Sequence, residues 1–190
     1  MALLAPRGGP PAPALIVDQW LNASEPLELE RLRGKVVLLH AFQMLCPGCI
    51  AHGLPQAEHA HRAFGREGVV VIGLHTVFEH HAVTGPEALR AFNHEYRWSF
   101  PIGIDRASQG SSIPQTMRAY DLQGTPSLVL IDRAGAIRLQ HLGRIDDMVL
   151  GGAIGRLLAE GGAAATPAAG GAGATASDAG CGPDACLPRP

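Results

Sequence analysis

The apolar residues of this chain occur in short, nearly continuous runs, three of which cover residues 36–42, 69–74 and 128–131. A run without regular polar alternation is typical of a strand that is covered on both faces of a sheet. We therefore predict a central strand at 36–42, a buried parallel strand at 69–74 and a further strand at 127–132.

Between the first two strands the apolar residues recur at helical spacing. Leu54, Ala57, Ala60 and Phe64 would lie on one face of a helix that ends near residue 65. Pro55 lacks a backbone N–H, so it should kink this helix. The remaining predicted elements are a helix at about 86–98, a short strand at 100–105, a short helix at 114–120, a strand at 136–141 and a helix at about 146–159. Strands and helices in this order predict an α/β domain.

Composition divides the chain into three parts. Residues 1–13 are rich in proline and glycine, and we predict that they are disordered or loosely packed. Residues 14–160 form the predicted domain, which is long enough for one good hydrophobic core. Residues 161–190 contain 10 alanines, 7 glycines and 4 prolines and no aromatic residue. This segment cannot bury enough apolar surface to fold alone, so we predict a flexible C-terminal tail.

Charge and hydropathy exclude two classes of partner. The formal net charge is −2, which does not suggest a nucleic-acid-binding surface. No apolar stretch reaches 18 residues, so we expect no membrane span. The N-terminal residues lack the sustained apolar segment of a signal peptide, which favours a cytoplasmic location. In that reducing compartment a cysteine pair would be mostly a dithiol, and the protein would reduce its partners.

The most informative motif is Cys46-Pro47-Gly48-Cys49, which follows the first predicted strand. Two cysteines three residues apart at the start of a helix can form a disulfide and reopen it with little backbone movement. The unpaired N–H groups of the first helical turn favour a thiolate, and Pro47 suits the first helical position. We assign Cys46 as the exposed nucleophile and Cys49 as the resolving thiol, which attacks the mixed disulfide.

Two other interpretations of this motif stay open. The pair can be half of a structural zinc site, completed by Cys181 and Cys186 or by histidines. It can also be a permanent disulfide, although so short a loop gains little stability from a cross-link.

A second motif, Thr125-Pro126, stands at the entrance of the strand at 127–132. A proline is tolerated there because no hydrogen bond of the sheet is lost. The order of strand, Cys-x-x-Cys, helix, strand, helix and Thr-Pro-strand resembles the thioredoxin-like superfamily. Within it, the lead-in around Trp20, the segment 32–39 and the segment 120–126 resemble the redoxin branch of TlpA-like thiol–disulfide oxidoreductases.

This resemblance implies a thioredoxin-like fold, with a central mixed β-sheet flanked by helices. It implies that Pro126 is cis and faces the Cys46–Cys49 pair, and that Thr125 offers backbone hydrogen bonds to a bound partner. The implied activity needs no cofactor beyond the redox-active disulfide. The implied partners are protein or small-molecule disulfides and a reductase that recharges the pair.

The chain departs from the pattern of these families at four positions. Thioredoxin carries a buried acid where this chain has His40, and a tryptophan where it has Leu45. His52 replaces an acid found in some members, so either His40 or His52 could act as the proton acceptor for the resolving thiol. Peroxiredoxins share the fold, but the threonine three residues before their peroxidatic cysteine is Gln43 here. Thiol peroxidase activity is therefore only an alternative.

The tail ends in a second cysteine pair, Cys181 and Cys186. These thiols could shuttle electrons to the Cys46–Cys49 site, capture a soft metal ion, or have no role. The corresponding alternatives for the whole protein are a metal-handling protein that uses all four cysteines and a redox sensor gated by a core–tail disulfide. The histidine-containing loop at 75–81 follows a parallel strand, so it should lie near the redox centre. It could contact a partner or bind a metal ion.

Overall fold

The computed structural model describes residues 4–160. Its centre is a six-stranded sheet with the strand order β1-β4-β3-β2-β5-β6. The strands β2, β3 and β4 are parallel, whereas β1, β5 and β6 each run antiparallel to a neighbour. Their bounds are β1 Val17–Leu21, β2 Val36–Phe42, β3 Val69–His75, β4 Ile102–Asp105, β5 Ser127–Ile131 and β6 Ile137–Leu142. The predicted mixed sheet is confirmed.

Four α-helices flank the sheet, with the bounds α1 Leu54–Phe64, α2 Pro86–Tyr96, α3 Gln115–Ala119 and α4 Asp147–Glu160. The helices α1, α2 and α4 share one hydrophobic core with one face of the sheet. The other face packs against α3 and the lead-in segment. Because both faces are covered, all seven residues of β2 are buried, which explains the continuous apolar run of that strand.

The strand β1 was not predicted. Its sequence, Val-Asp-Gln-Trp-Leu, has polar residues at its second and third positions and no apolar run. It lies at the edge of the sheet and pairs only with β4, where a bulge separates Val17 from Gln19. An edge strand is half exposed, so its pattern alone does not distinguish it from a loop.

Of the segment predicted to be disordered or loosely packed, the structure describes residues 4–13. This segment runs along β6, where the N–H of Ala5 donates to Arg138 O (2.7 Å) and the N–H of Ile137 donates to Pro10 O (2.9 Å). The side chain of Leu4 is buried in the core. Proline-rich sequence cannot form a helix, but it can cover a sheet edge where few N–H groups are needed.

The kink predicted at Pro55 takes the form of a π-helical turn over Cys49–Gly53, directly before α1. Pro55 cannot donate to the carbonyl four residues earlier, and its ring clashes with that carbonyl. A wider turn relieves this clash, so the helix that begins at Pro47 changes its pitch beside the second cysteine.

Among residues 4–160, no helix is long and apolar enough to cross a membrane.

Candidate active site

A disulfide joins Cys46 and Cys49, whose Cα atoms are 5.2 Å apart. The pair lies just beyond the carboxyl end of β2, after a turn in which the N–H of Cys46 donates to Gln43 O. Pro47 is the first helical residue, so Cys46 occupies the N-cap position. The strand therefore delivers the disulfide to the beginning of a helix, as the motif predicts.

The two sulfur atoms have different surroundings. Cys46 is partly exposed, whereas Cys49 is completely buried (0% exposed) in the core beside α1. The backbone N–H of Cys49 donates to Cys46 Sγ at 3.2 Å. An N–H donor at a helix N-terminus stabilises negative charge, so Cys46 is placed to become an accessible thiolate.

Thr125 and Pro126 form the wall of the site on the side of β5. The peptide bond between them is cis, and Thr125 O lies 3.5 Å from Cys46 Sγ. A Cβ built on Gly48 would lie only 3.3 Å from Pro126 Cδ, so the proline ring contacts the turn between the cysteines. These positions meet because β5 pairs antiparallel with β2, with Ser127 opposite Ala41.

His40 lies beneath the site, buried in the middle of β2. Among the described residues, no hydrogen-bond partner reaches its Nε2 atom. Burial lowers the pKa of His40 to about 4, so its imidazole is neutral near pH 7. His52, the other proton-transfer candidate, is exposed on the π-helical turn. The structure thus separates a buried candidate from a solvent-facing one.

Sequence reasoning treated His75 only as part of the histidine-containing loop at 75–81 and missed that its imidazole is buried in the sheet. His75 is paired with Phe42 in the parallel register of β2 and β3, and the two ring centroids are 5.3 Å apart. Neither ring nitrogen of His75 has a partner within residues 4–160, and burial lowers the pKa of His75 to about 4. The signal was present, since His75 ends an apolar run next to the predicted central strand.

Gln43 connects the site to the loop after β3. Its buried side chain accepts a hydrogen bond from the N–H of Phe78 (3.3 Å) and donates to Glu79 Oε1 (3.2 Å). Both ends of the amide are therefore engaged. Gln43 is fixed as a strut between this loop and the turn that leads to Cys46.

The two metal-binding alternatives concern the histidines of the loop after β3 and the tail cysteines. His80 and His81 are exposed in the loop after β3. In the part of the chain that the structure describes, no group of three or more metal-ligating side chains is close enough to hold an ion. Cys181 and Cys186 lie outside the described residues.

Two exposed leucines flank the disulfide, and we call them the apolar rim. Leu45 precedes Cys46 and is 56% exposed, while Leu142 is 54% exposed. Leu142 faces Ser127 in the β5–β6 register, and its Cδ1 atom is 3.5 Å from a Cβ built on Gly124. The rim therefore has one residue on the side of Cys46 and one beside the Thr125–Pro126 wall.

This chain matches a family model, several solved structures and a few curated proteins. Residues 9–140 match the model of the AhpC/TSA family. The solved structure of a thioredoxin-like superfamily protein, SPOA0173, is 50% identical with a TM-score of 0.76, and the match covers 78% of this chain and 96% of that one. A thiol-disulfide isomerase from Corynebacterium glutamicum is 52% identical with a TM-score of 0.74, over 77% of this chain and 96% of that one.

Among curated proteins, Protein DipZ of Mycobacterium tuberculosis is 31% identical over 133 residues, which is 68% of this chain and 18% of DipZ. The chain thus spans about a fifth of the length of that relative. The chain belongs to the AhpC/TSA family, and it has the fold of the thioredoxin-like redoxins.

Proposed function

We propose that this protein reduces disulfides of proteins or small molecules through its Cys46–Cys49 pair. The observation that supports this most directly is the asymmetry of the two sulfur atoms, since Cys46 is accessible and receives an N–H bond while Cys49 is buried. An exposed, stabilised thiolate can begin an exchange, and a buried neighbour can end it without competing for partners.

The reaction has two steps. In the reduced protein, the Cys46 thiolate attacks one sulfur of the partner disulfide, a Cys46–partner bond forms, and the other partner sulfur leaves as a thiolate. Cys49 then loses its proton and attacks Cys46 Sγ, which reforms the Cys46–Cys49 disulfide and releases the second partner thiolate. The partner gains two electrons and the pair loses them.

We assign the Cys49 proton to His40 in the second step. The imidazole is neutral at pH 7 and buried, and the Gly53 backbone one turn after Cys49 contacts its ring. Burial makes this imidazole a weak base, so its role as acceptor requires that the negative charge forming on Cys49 stabilises the protonated ring. His52 is exposed, so solvent can replace it in this role.

Thr125 and Pro126 would position the partner segment beside Cys46. We further propose that Cys181 and Cys186 exchange electrons with the Cys46–Cys49 pair and that a separate reductase recharges the protein. We also propose that the protein is cytoplasmic, where a dithiol would reduce partner disulfides, and that it belongs to the TlpA-like branch.

The activity is tested by following dithiothreitol-driven reduction of insulin disulfides. Cys46→Ser should abolish turnover, whereas reduced Cys49→Ser, mixed with insulin after dithiothreitol is removed, should stop after one event with a trapped mixed disulfide. His40→Leu should slow resolution and shift the pH profile, and His59→Leu, at an exposed position of α1, is the control. Wild-type turnover that survives Cys46→Ser would refute the proposal.

The AhpC/TSA match favours one second candidate, a thiol peroxidase in which Cys46 attacks a peroxide. Against it, Gln43 stands where peroxiredoxins carry a threonine, and its side chain is buried and bonded to Phe78 and Glu79 of the loop after β3. Consumption of hydrogen peroxide should therefore be at least about tenfold slower than disulfide reduction, and faster consumption would reverse the order of the two candidates.

A further inference from the structure

We propose that the end of the tail, residues 181–190, docks on the apolar rim of its own chain and presents Cys186 to Cys46. This proposal rests on the disulfide exchange proposed above. It adds the surface on which the tail docks, the tail thiol that attacks first, and an exchange within one chain.

The rim is suited to a short apolar segment. Leu45, which precedes Cys46, and Leu142, which lies against Gly124 next to the Thr125–Pro126 wall, are each more than half exposed. Exposed large apolar side chains next to a reactive centre favour partners whose own apolar side chain can pack against them. Burying a leucine removes apolar surface from water on both partners.

The tail offers one matching side chain. From residue 161 to residue 190, Leu187 is the sole large apolar residue, and it directly follows Cys186. A Leu187 side chain on the rim would bring Cys186, rather than Cys181, next to Cys46 Sγ. This adjacency in sequence is the reason that we assign Cys186 as the first attacking thiol.

The tail begins at the end of α4, from which Cys186 can reach Cys46 of the same chain. Gly143 donates its N–H to Pro126 O, so the segment before α4 starts at the site. The 14 residues of α4 then rise about 20 Å to Glu160, which bonds to the buried Arg138 (2.6 Å). Cys186 follows Glu160 by 26 residues, and a Gly-rich chain of that length has a root-mean-square span of about 28 Å.

A span that matches the distance gives the largest effective concentration, commonly in the millimolar range. Exchange within one chain should therefore exceed exchange between chains at micromolar protein concentrations. It should also be independent of dilution.

The exchange balances without an additional oxidant. The Cys186 thiolate attacks Cys46 Sγ, the Cys46–Cys186 bond forms, and Cys49 leaves as a thiolate that takes a proton from solvent. Cys181 then attacks Cys186 Sγ, which forms the Cys181–Cys186 disulfide and releases the Cys46 thiolate. The core pair gains two electrons from the tail dithiol, which an external thiol or dithiol restores.

The test compares the full-length Cys49→Ser/Cys181→Ser and Cys49→Ser/Cys186→Ser chains in glutathione redox buffer, because neither chain keeps a thiol that can resolve a core–tail disulfide. Disulfides are mapped by mass spectrometry from about 0.1 to 10 μM protein. The expected product is a monomeric Cys46–Cys186 disulfide whose fraction does not change on dilution. Adding Leu187→Ser or Leu142→Ser should lower that fraction at least about threefold. Adding Tyr96→Ser, at the exposed C-terminal end of α2, should not change it.

Each other result overturns a defined part of the proposal. A dominant Cys46–Cys181 bond, or no effect of Leu187→Ser, refutes docking through Leu187. Disulfide-linked dimers that increase with concentration refute the intramolecular route. Absence of any core–tail bond, while the wild type still reduces insulin disulfides, refutes the tail proposal alone. Failure of the wild-type Cys46–Cys49 disulfide to form reversibly refutes the proposed function itself.

Discussion

The backbone of Gly53 packs directly on the imidazole of His40. A Cβ built on Gly53 would lie 2.5 Å from both Cε1 and Nε2 of His40, and 3.2 Å from Pro126 Cβ. The π-helical turn that carries Cys49 is thus in contact with the buried histidine and with the cis-proline at one point. Three features that are distant in sequence meet because Gly53 has no side chain.

Gly53→Ala should destabilise the protein by about 1–3 kcal/mol, because the added methyl overlaps a fixed ring in a closely packed layer. The free energy of unfolding from urea titration measures the loss. Gly152→Ala in α4 is the matched control, since, apart from its chain neighbours and the backbone of its own helix, no atom of residues 4–160 lies within 4 Å of a Cβ built there. That change should stabilise the helix by about 0.5–1 kcal/mol. An unchanged Gly53→Ala stability would mean that the His40 ring moves freely.

The two buried histidines should make the protein sensitive to acid. Their pKa values are lowered from 6.5 to about 4 by burial, so below pH 6.5 the unfolded chain binds protons that the folded chain does not. Stability is fully present above pH 6.5 and falls as the pH decreases toward 4, by about 3 kcal/mol for each histidine.

Urea titrations at several pH values between 4 and 8 measure this slope. His75→Leu should flatten it by roughly half, whereas the same change at the exposed His59 should leave it unaltered. Equal slopes for the wild type and His75→Leu would show that His75 is protonated in the folded state at the same pH as in the unfolded chain.

Arg138 should be a large contributor to stability at the end of the sheet opposite the disulfide. Its guanidinium is 4% exposed and bonds to Asp132, Glu160 and Ala5 O. Arg138→Leu removes the buried guanidinium, while Glu160 keeps Arg7 and Asp132 keeps the N–H groups of Ala134 and Ala136, so we expect a loss of about 2–4 kcal/mol. Thermal unfolding with Arg31→Leu as the control measures it.

Arg31 makes an exposed ion pair with Glu28 at 3.1 Å, which should contribute less than about 1 kcal/mol. If both arginine variants lose the same stability, the burial of Arg138 has no energetic consequence.

Gln43→Ala should loosen the loop after β3 without unfolding the domain. The change leaves the N–H of Phe78 without its side-chain acceptor, which costs about 1–2 kcal/mol locally. Hydrogen exchange at Phe78 should become about tenfold faster, while amides in β5 keep their protection. Unchanged exchange at Phe78 would contradict the role of Gln43 as a strut.

The sequence by itself determined the elements whose residues are buried by their own neighbours in the sheet. The apolar runs of β2, β3 and β5 identify those strands within one residue of their observed ends, because strands covered on both faces need apolar residues at every position. The pairing of Cys46 with Cys49 follows from three-residue spacing at a helix start, since the geometry is local.

Only the tertiary structure decided what depends on contacts between distant segments. The edge strand β1 and the packing of residues 4–13 along β6 are stabilised by backbone hydrogen bonds that any sequence can make. The burial of His40 and His75 depends on the layer of helices above the sheet. An imidazole in an apolar run is equally compatible with a buried or a solvated side chain, so only the position of Gly53 over His40 shows that it lies in a dry site.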